Sequence, residues 1–376
     1  MSWSRYVAGE LDALRKADRW RECIAVETHG PEGVIDGRAV TSFSSNDYLG
    51  LSQHPALRQA AHDAIDRYGT SAAASRLIGG TRELHLELEH AIARWKKTEA
   101  AIVFPTGFAA NIGVLSTLGA ADVTIFSDEL NHASIIDGCQ LAKAQVQVYR
   151  HVDIDHLASL MRVAPARKIV VTDTVFSMDG DTAPLVDLAT LCAREGALLV
   201  IDEAHAVLGP DLGHTDAEVL RVGTLSKTLG SQGGWVAGSG ALIQLLVNRA
   251  RSFVFTTGIA PADAAAGLAA VRILMSAEGE ALRARLRSYV ERVKPSHPSP
   301  IIPIIIGADA AALHAAADLL AQGLYVPAVR PPTVPRGTAR LRVTVSAAHS
   351  SDMIDRLLRA LGPHLHGSTG SPRTER

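Results

Sequence analysis

The chain has 376 residues, 47% apolar and 20% charged, with 31 glycines, enough length for a large core and a composition that excludes a disordered or fibrous protein. A formal net charge of −2 argues against a surface built for nucleic acid or an anionic membrane. Cys23, Cys139 and Cys192 lie too far apart for a metal cage or disulfide framework, so they read as buried or half-buried thiols in a reducing compartment.

Trp3, Val7, Leu11 and Leu14 recur at spacings of four and three, which predicts an amphipathic N-terminal helix. Arg5, Glu10, Asp12, Arg15 and Lys16 interrupt that segment, so it is not an export signal. A turn-rich stretch, 28–37, leads to Phe43-Ser-Ser-Asn-Asp-Tyr-Leu-Gly50. From about residue 55 to 255, strand-length apolar runs at 100–104, 123–126, 146–149, 168–172, 197–201 and 235–238 alternate with helical patterns. That alternation predicts an α/β fold with a mostly parallel sheet covered by helices on both faces.

Beyond Pro261 come two helical segments, about 262–276 and 278–293, then a Pro-rich link, 295–303. Strands at 301–306, 324–329 and 340–345, a helix at 310–321 and a last helix complete a smaller α+β region. The run 301–306 is too short to span a bilayer, and a cytoplasmic protein is expected. The expected division is an N-terminal helix and arm (1–45), a large domain (46–255), a small C-terminal domain (256–363) and a disordered tail (364–376).

The chemistry-bearing residues fall at successive strand ends. Lys227 stands in Val222-Gly-Thr-Leu-Ser-Lys-Thr-Leu-Gly230 among closely spaced glycines; lysine is the side chain that condenses with carbonyls, and Ser226 and Thr224 offer hydroxyls to a phosphate. Ala197-Leu-Leu-Val-Ile-Asp-Glu-Ala-His205 places Asp202 where an open α/β sheet binds ligands. An aspartate there can keep a pyridine nitrogen protonated, and His205 can bond a phenolic oxygen. Asp-Glu-Ala-His also occurs in ATPases, but the chain has no Gly-x-x-x-x-Gly-Lys-Ser/Thr loop. A nicotinamide-binding reading fails as well, because Gly238-Ser-Gly240 lacks its third glycine. Phe104-Pro-Thr-Gly-Phe-Ala-Ala-Asn111 is a strand end followed by a helix start suited to a phosphate. Asp128-Glu-Leu-Asn-His-Ala-Ser134 offers His132 to a planar ring, and Asp173-Thr-Val-Phe-Ser-Met-Asp-Gly-Asp181 brings Ser177 to the same sheet edge.

In combination, Phe43–Gly50, Gly107-Phe-Ala-Ala-Asn111, Asn131-His-Ala-Ser134, Phe176-Ser-Met-Asp-Gly-Asp181, Asp202-Glu-Ala-His205 and Gly223-Thr-Leu-Ser-Lys227 resemble the α-oxoamine synthase family over residues 1 to about 362. The resemblance implies a pyridoxal 5′-phosphate (PLP) dependent transferase of fold type I, with a mostly parallel, seven-stranded sheet between helices and a smaller C-terminal α+β domain. It implies that Lys227 carries PLP, Asp202 pairs with its pyridinium nitrogen and His132 stacks on its ring. Ser177, His205 and Thr224 would bind the polar edge and phosphate, and the backbone at Gly107 and Phe108 would help seat the group. Arg342 with Asn46 would grip an amino acid carboxylate, and Arg21 with Thr333 the acyl substrate. The site would lie at a homodimer interface, with Thr257 reaching the partner's phosphate. The stretch Arg330-Pro-Pro-Thr-Val-Pro-Arg-Gly-Thr-Ala-Arg-Leu-Arg342 favours L-alanine and a pimeloyl thioester of CoA or acyl-carrier protein. Glycine with acetyl-CoA or succinyl-CoA, serine with a fatty acyl thioester, and simple transamination are the alternatives.

Overall fold

The computed structural model describes residues 2–16, 19–164 and 167–365; the expected tail from 366 onward lies outside them. The chain separates into two compact units. Among the described residues, the larger comprises 45–302 and 344–354, the smaller those up to 44, 303–343 and those from 355.

The larger unit is organised on strands β1 (Ala100–Phe104), β2 (Val123–Asp128), β3 (Gln145–Tyr149), β4 (Arg167–Asp173), β5 (Leu198–Asp202), β6 (Val219–Thr224) and β7 (Gly234–Gly238). They form one seven-stranded sheet in the order β1-β7-β6-β5-β4-β2-β3. β2 to β6 run parallel to one another, and β7 runs antiparallel to both β1 and β6. The expected α/β class with a mostly parallel sheet is thus observed. Two apolar clusters cover its faces, one around Phe104, Val114, Ile125 and Val200, the other around Phe126, Met161, Leu188 and Ile201. Burial on both faces explains why the strands read as continuous apolar runs rather than alternating ones.

Helices α1 (Pro55–Tyr68), α2 (Glu83–Lys96), α3 (Gly107–Leu118), α4 (Ala133–Leu141) and α5 (Pro261–Leu274) matter most for the site. α5 packs on α1 and α2 and buries Ala264, Leu268 and Val271. With that packing, residues 256–302 cluster with the larger unit. The N-terminal arm clusters with residues 303–343.

In the smaller unit, Glu27–His29, Glu32–Ile35 and Arg38–Ser42 form an antiparallel meander, with Leu324–Tyr325 added parallel to the last strand. The stretch read as turn-rich is therefore a hairpin, turned by Asp36 (φ 49°) and Gly37 (φ 74°), the Asp-Gly pair that two-residue hairpins favour. The expected strand 324–329 is two strands in different sheets, Leu324–Tyr325 and Ala328–Val329, interrupted at Pro327, which has no N–H to donate. The N-terminal helix forms over Trp3–Lys16. Cys139 and Cys192 are buried, but Cys23 is exposed, against expectation.

Candidate active site

The parallel strands β2, β4 and β5 end in carboxylates, Asp128, Asp173 and Asp202. The β4–β5 register sets Asp173 directly beside Asp202. Asp202 Oδ1 accepts from the Ala204 N–H at 2.8 Å, and Oδ2 accepts from Asn111 Nδ2 at 2.7 Å. The same amide donates to Ser134 Oγ at 2.9 Å. Asn111 lies one turn into α3, whose start is fixed by Thr106 Oγ1 accepting from Ala109 N–H at 3.0 Å. Burial, and then the neighbouring Asp202 charge, hold the Asp173 carboxyl well above the usual carboxylate range.

His132 caps α4: its Nδ1 accepts from Ser134 N–H at 3.2 Å and lies 2.7 Å from Ser134 Oγ. Its backbone N–H donates to Asp173 Oδ2 at 2.7 Å. Burial lowers the imidazole pKa; Asp202 opposes this and Lys227 reinforces it, with a net downward direction. The ring is therefore neutral at pH 7 and is anchored through Nδ1 to Ser134, with its residue exposed at the surface of the site.

Lys227 follows β6 through a tight turn in which Gly230 (φ 58°) donates its N–H to the Lys227 carbonyl at 3.0 Å. Lys227 Nζ lies 2.7 Å from His205 Nε2, and His205 Nδ1 lies 2.5 Å from Tyr48 Oη. Tyr48 donates in turn to Asn46 Oδ1 at 3.1 Å. Both Tyr48 and His205 are buried.

Thr224 Oγ1 lies 2.7 Å from Ser226 Oγ and donates to the Gly233 carbonyl at 2.8 Å. A Cβ placed on Gly107 would stand 3.2 Å from Thr224 Cβ, so the bare glycine leaves a recess between the Thr224 hydroxyl and the α3 N-terminus. Helix N–H groups and paired hydroxyls suit a phosphate there. A primary amine, a buried carboxylate braced by an amide and a phosphate recess make up the donor set that PLP requires, so these residues fit that group.

Ser177 is half-buried in the loop after β4, which closes through the Val175–Thr182 bridge and Phe176 N–H to the Asp181 carbonyl at 3.0 Å. Behind this loop His151 donates to Asp128 at 3.0 Å and to Asp181 at 2.7 Å, and its ring meets Phe176 edge-on. Phe108 and Thr257 are exposed, and Thr257 forms an isolated bridge with Ser75. In the smaller unit, Arg21 Nη2 donates to Thr333 Oγ1 at 3.4 Å, a long contact that nonetheless brings together two residues distant in sequence. Arg342 is buried on the strand Ala339–Thr344 of that unit. Sequence reasoning assigned no role to Tyr48, Asn111, Ser134 or Asp173, although each lies inside a motif it singled out.

The model for aminotransferase class I and II matches residues 38–361. An 8-amino-7-oxononanoate synthase from Anaeromyxobacter dehalogenans is 46% identical, aligned over 95% of this chain and 94% of its own. The chain belongs to the 8-amino-7-oxononanoate synthase family. Another member, from Geobacter sulfurreducens, is 43% identical over 95% of this chain and 97% of its own. Among solved structures, an 8-amino-7-oxononanoate synthase from Francisella tularensis superposes with a TM-score of 0.72 at 26% identity, covering 87% of this chain and 98% of that one. A serine palmitoyltransferase from S. paucimobilis, solved with a bound PLP–myriocin aldimine, gives 0.87 at 28% identity, covering 95% and 96%. The fold is thus shared with both a serine palmitoyltransferase and an 8-amino-7-oxononanoate synthase.

Proposed function

We propose that the protein condenses L-alanine with a pimeloyl thioester of CoA or acyl-carrier protein, with loss of carbon dioxide and free thiol, to give 8-amino-7-oxononanoate for biotin biosynthesis. The observation that carries this reading is the placement of Lys227 and Asp202 at the ends of adjacent strands, the lysine amine 2.7 Å from His205, in a chain 46% identical to a named synthase.

PLP, when bound, supplies an electron sink for charge developing on the alanine α-carbon, both when the new C–C bond forms and when carboxylate is lost. Lys227 holds that group in the resting protein, removes the α-proton of alanine and returns a proton at the end. Asp202, steadied by Asn111, keeps the pyridine nitrogen protonated. His132, neutral and clamped at Ser134, covers the ring. His205 and Ser177 hold the polar edge, and Thr224 with the backbone of Gly107 and Phe108 holds the phosphate. Arg342 and Asn46 orient the alanine carboxylate through a guanidinium fork and an amide. Arg21 and Thr333 meet the acyl chain. The active form is a cytoplasmic homodimer in which Thr257 of each subunit serves the other's phosphate. None of the described helices is long and apolar enough to cross a membrane.

The test is thiol release from pimeloyl-CoA by the PLP-loaded protein. Release that requires L-alanine, with carbon dioxide and 8-amino-7-oxononanoate formed in equal amounts, is expected. A demand for glycine or another thioester moves the protein to a sibling reaction. Formation of a keto acid from alanine without thioester makes it an aminotransferase.

A further inference from the structure

The contact between Lys227 and His205 continues inward to a residue for which the reaction as described has no use. Tyr48 is fully buried (0% exposed), and its hydroxyl sits between His205 Nδ1 at 2.5 Å and Asn46 Oδ1 at 3.1 Å. The directions of these bonds follow from the atoms. An amide oxygen only accepts, so the single hydroxyl proton of Tyr48 goes to Asn46. The Tyr48 oxygen then meets His205 with a lone pair, and the short contact is made by a proton carried on His205 Nδ1. A neutral imidazole with its proton on Nδ1 has a bare Nε2, and that is the nitrogen 2.7 Å from Lys227 Nζ.

We infer that Tyr48 is a positioning residue for Lys227: held by Asn46, its hydroxyl fixes His205 as the Nδ1–H tautomer, so that Nε2 takes a proton from the Lys227 ammonium. The proton bookkeeping is simple. Lys227 passes one proton to Nε2; the imidazolium so formed keeps its Nδ1–H on Tyr48, and the lysine is left neutral with a free lone pair. A lysine reacts with a carbonyl only in that state. Asn46, at the far end of this chain, is also the residue assigned to the amino acid carboxylate, so the arrangement ties occupancy of that amide to the partner available to Tyr48. The inference rests on the reading that Lys227 is the PLP lysine, but the hydrogen-bond assignment can be checked without the cofactor.

The experiment uses the full chain freed of cofactor and labelled with 15N-histidine, the His205 signal being identified by its loss in His205→Asn. Wild type should show the His205 proton on Nδ1. Tyr48→Phe, which keeps the ring and removes only the hydroxyl, should shift His205 toward the Nε2–H form and slow covalent capture of added PLP by about 10-fold, the effect of one lost hydrogen bond. A wild-type His205 carrying its proton on Nε2, or a tautomer and capture rate unchanged in Tyr48→Phe, overturns the inference. If wild type captures no PLP while His205 is protonated on Nδ1, the reading of Lys227 fails and the hydrogen-bond assignment stands.

Discussion

The side-chain amide of Asn111 donates to Asp202 Oδ2 at 2.7 Å while also reaching Ser134 Oγ at 2.9 Å. One residue on α3 therefore braces the carboxylate at the end of β5 and, through Ser134, the ring of His132. The two groups that would meet a pyridine ring, the Asp202 carboxylate and the His132 imidazole, are thus set by one hydrogen-bond network, and networks of this kind lose more than one bond when a member is removed.

Replacing Asn111 with alanine should leave Asp202 without this donor. A hydrogen bond to a charged group contributes about 1.5–3 kcal/mol, so kcat should fall by roughly 10- to 100-fold. Steady-state rates at saturating PLP, with the PLP dissociation constant measured separately, check this. A loss confined to PLP affinity would place the Asn111 contact outside the chemistry.

Gly234 opens β7 against the turn before α3. A Cβ there would fall 2.3 Å from the Thr106 carbonyl oxygen and 2.6 Å from the Gly107 nitrogen. Gly234→Ala should push the turn that seats the phosphate and weaken PLP binding by at least about 10-fold, the scale of one displaced hydrogen bond to an anion. Titration of the apoprotein with PLP, followed by fluorescence, reads this directly.

His151 gives a pH signature. Burial pulls its pKa down, but the hydrogen bonds and charges of Asp128 and Asp181 outweigh that and raise it from 6.5 to about 10. A base held more tightly protonated in the folded state stabilises the fold fully below its unfolded pKa, and loses that contribution as pH climbs toward the folded value. Thermal midpoints should therefore decline between about pH 6.5 and 10. The decline should be shallower in His151→Gln, whose midpoint at pH 7 is already lower.

Arg76 and Glu89 form a buried, two-point ion pair at 2.8 and 3.1 Å, and Glu89 Oε1 also accepts from the Val103 N–H at 2.9 Å. Glu89→Ala strands the guanidinium and should cost about 3–5 kcal/mol. Denaturant unfolding of the apoprotein measures it; an effect below about 1 kcal/mol would mean that water reaches Arg76.

The sheet and the strand-end residues were legible because strands buried on both faces write themselves as apolar runs, and Asp128, Asp173 and Asp202 each close one. Lys227 was legible from the glycines around it. Tyr48 was not: a tyrosine beside leucine reads as core, and its bond to His205 joins residues 157 apart in sequence. Asn111 was hidden similarly, since an asparagine in the first turns of a helix gives no sign of facing a carboxylate 91 residues away. The partners of α5 were not legible either, because it looks like any apolar helix and its packing on α1 and α2 joins segments far apart in sequence.

The most direct test of the central claim is chemical. The PLP-loaded protein is reduced with borohydride, digested and mapped by mass spectrometry. The account predicts a single pyridoxyl-modified peptide with the label on Lys227, and no incorporation in Lys227→Ala. Label on another lysine, or a protein that takes up no PLP, would contradict it.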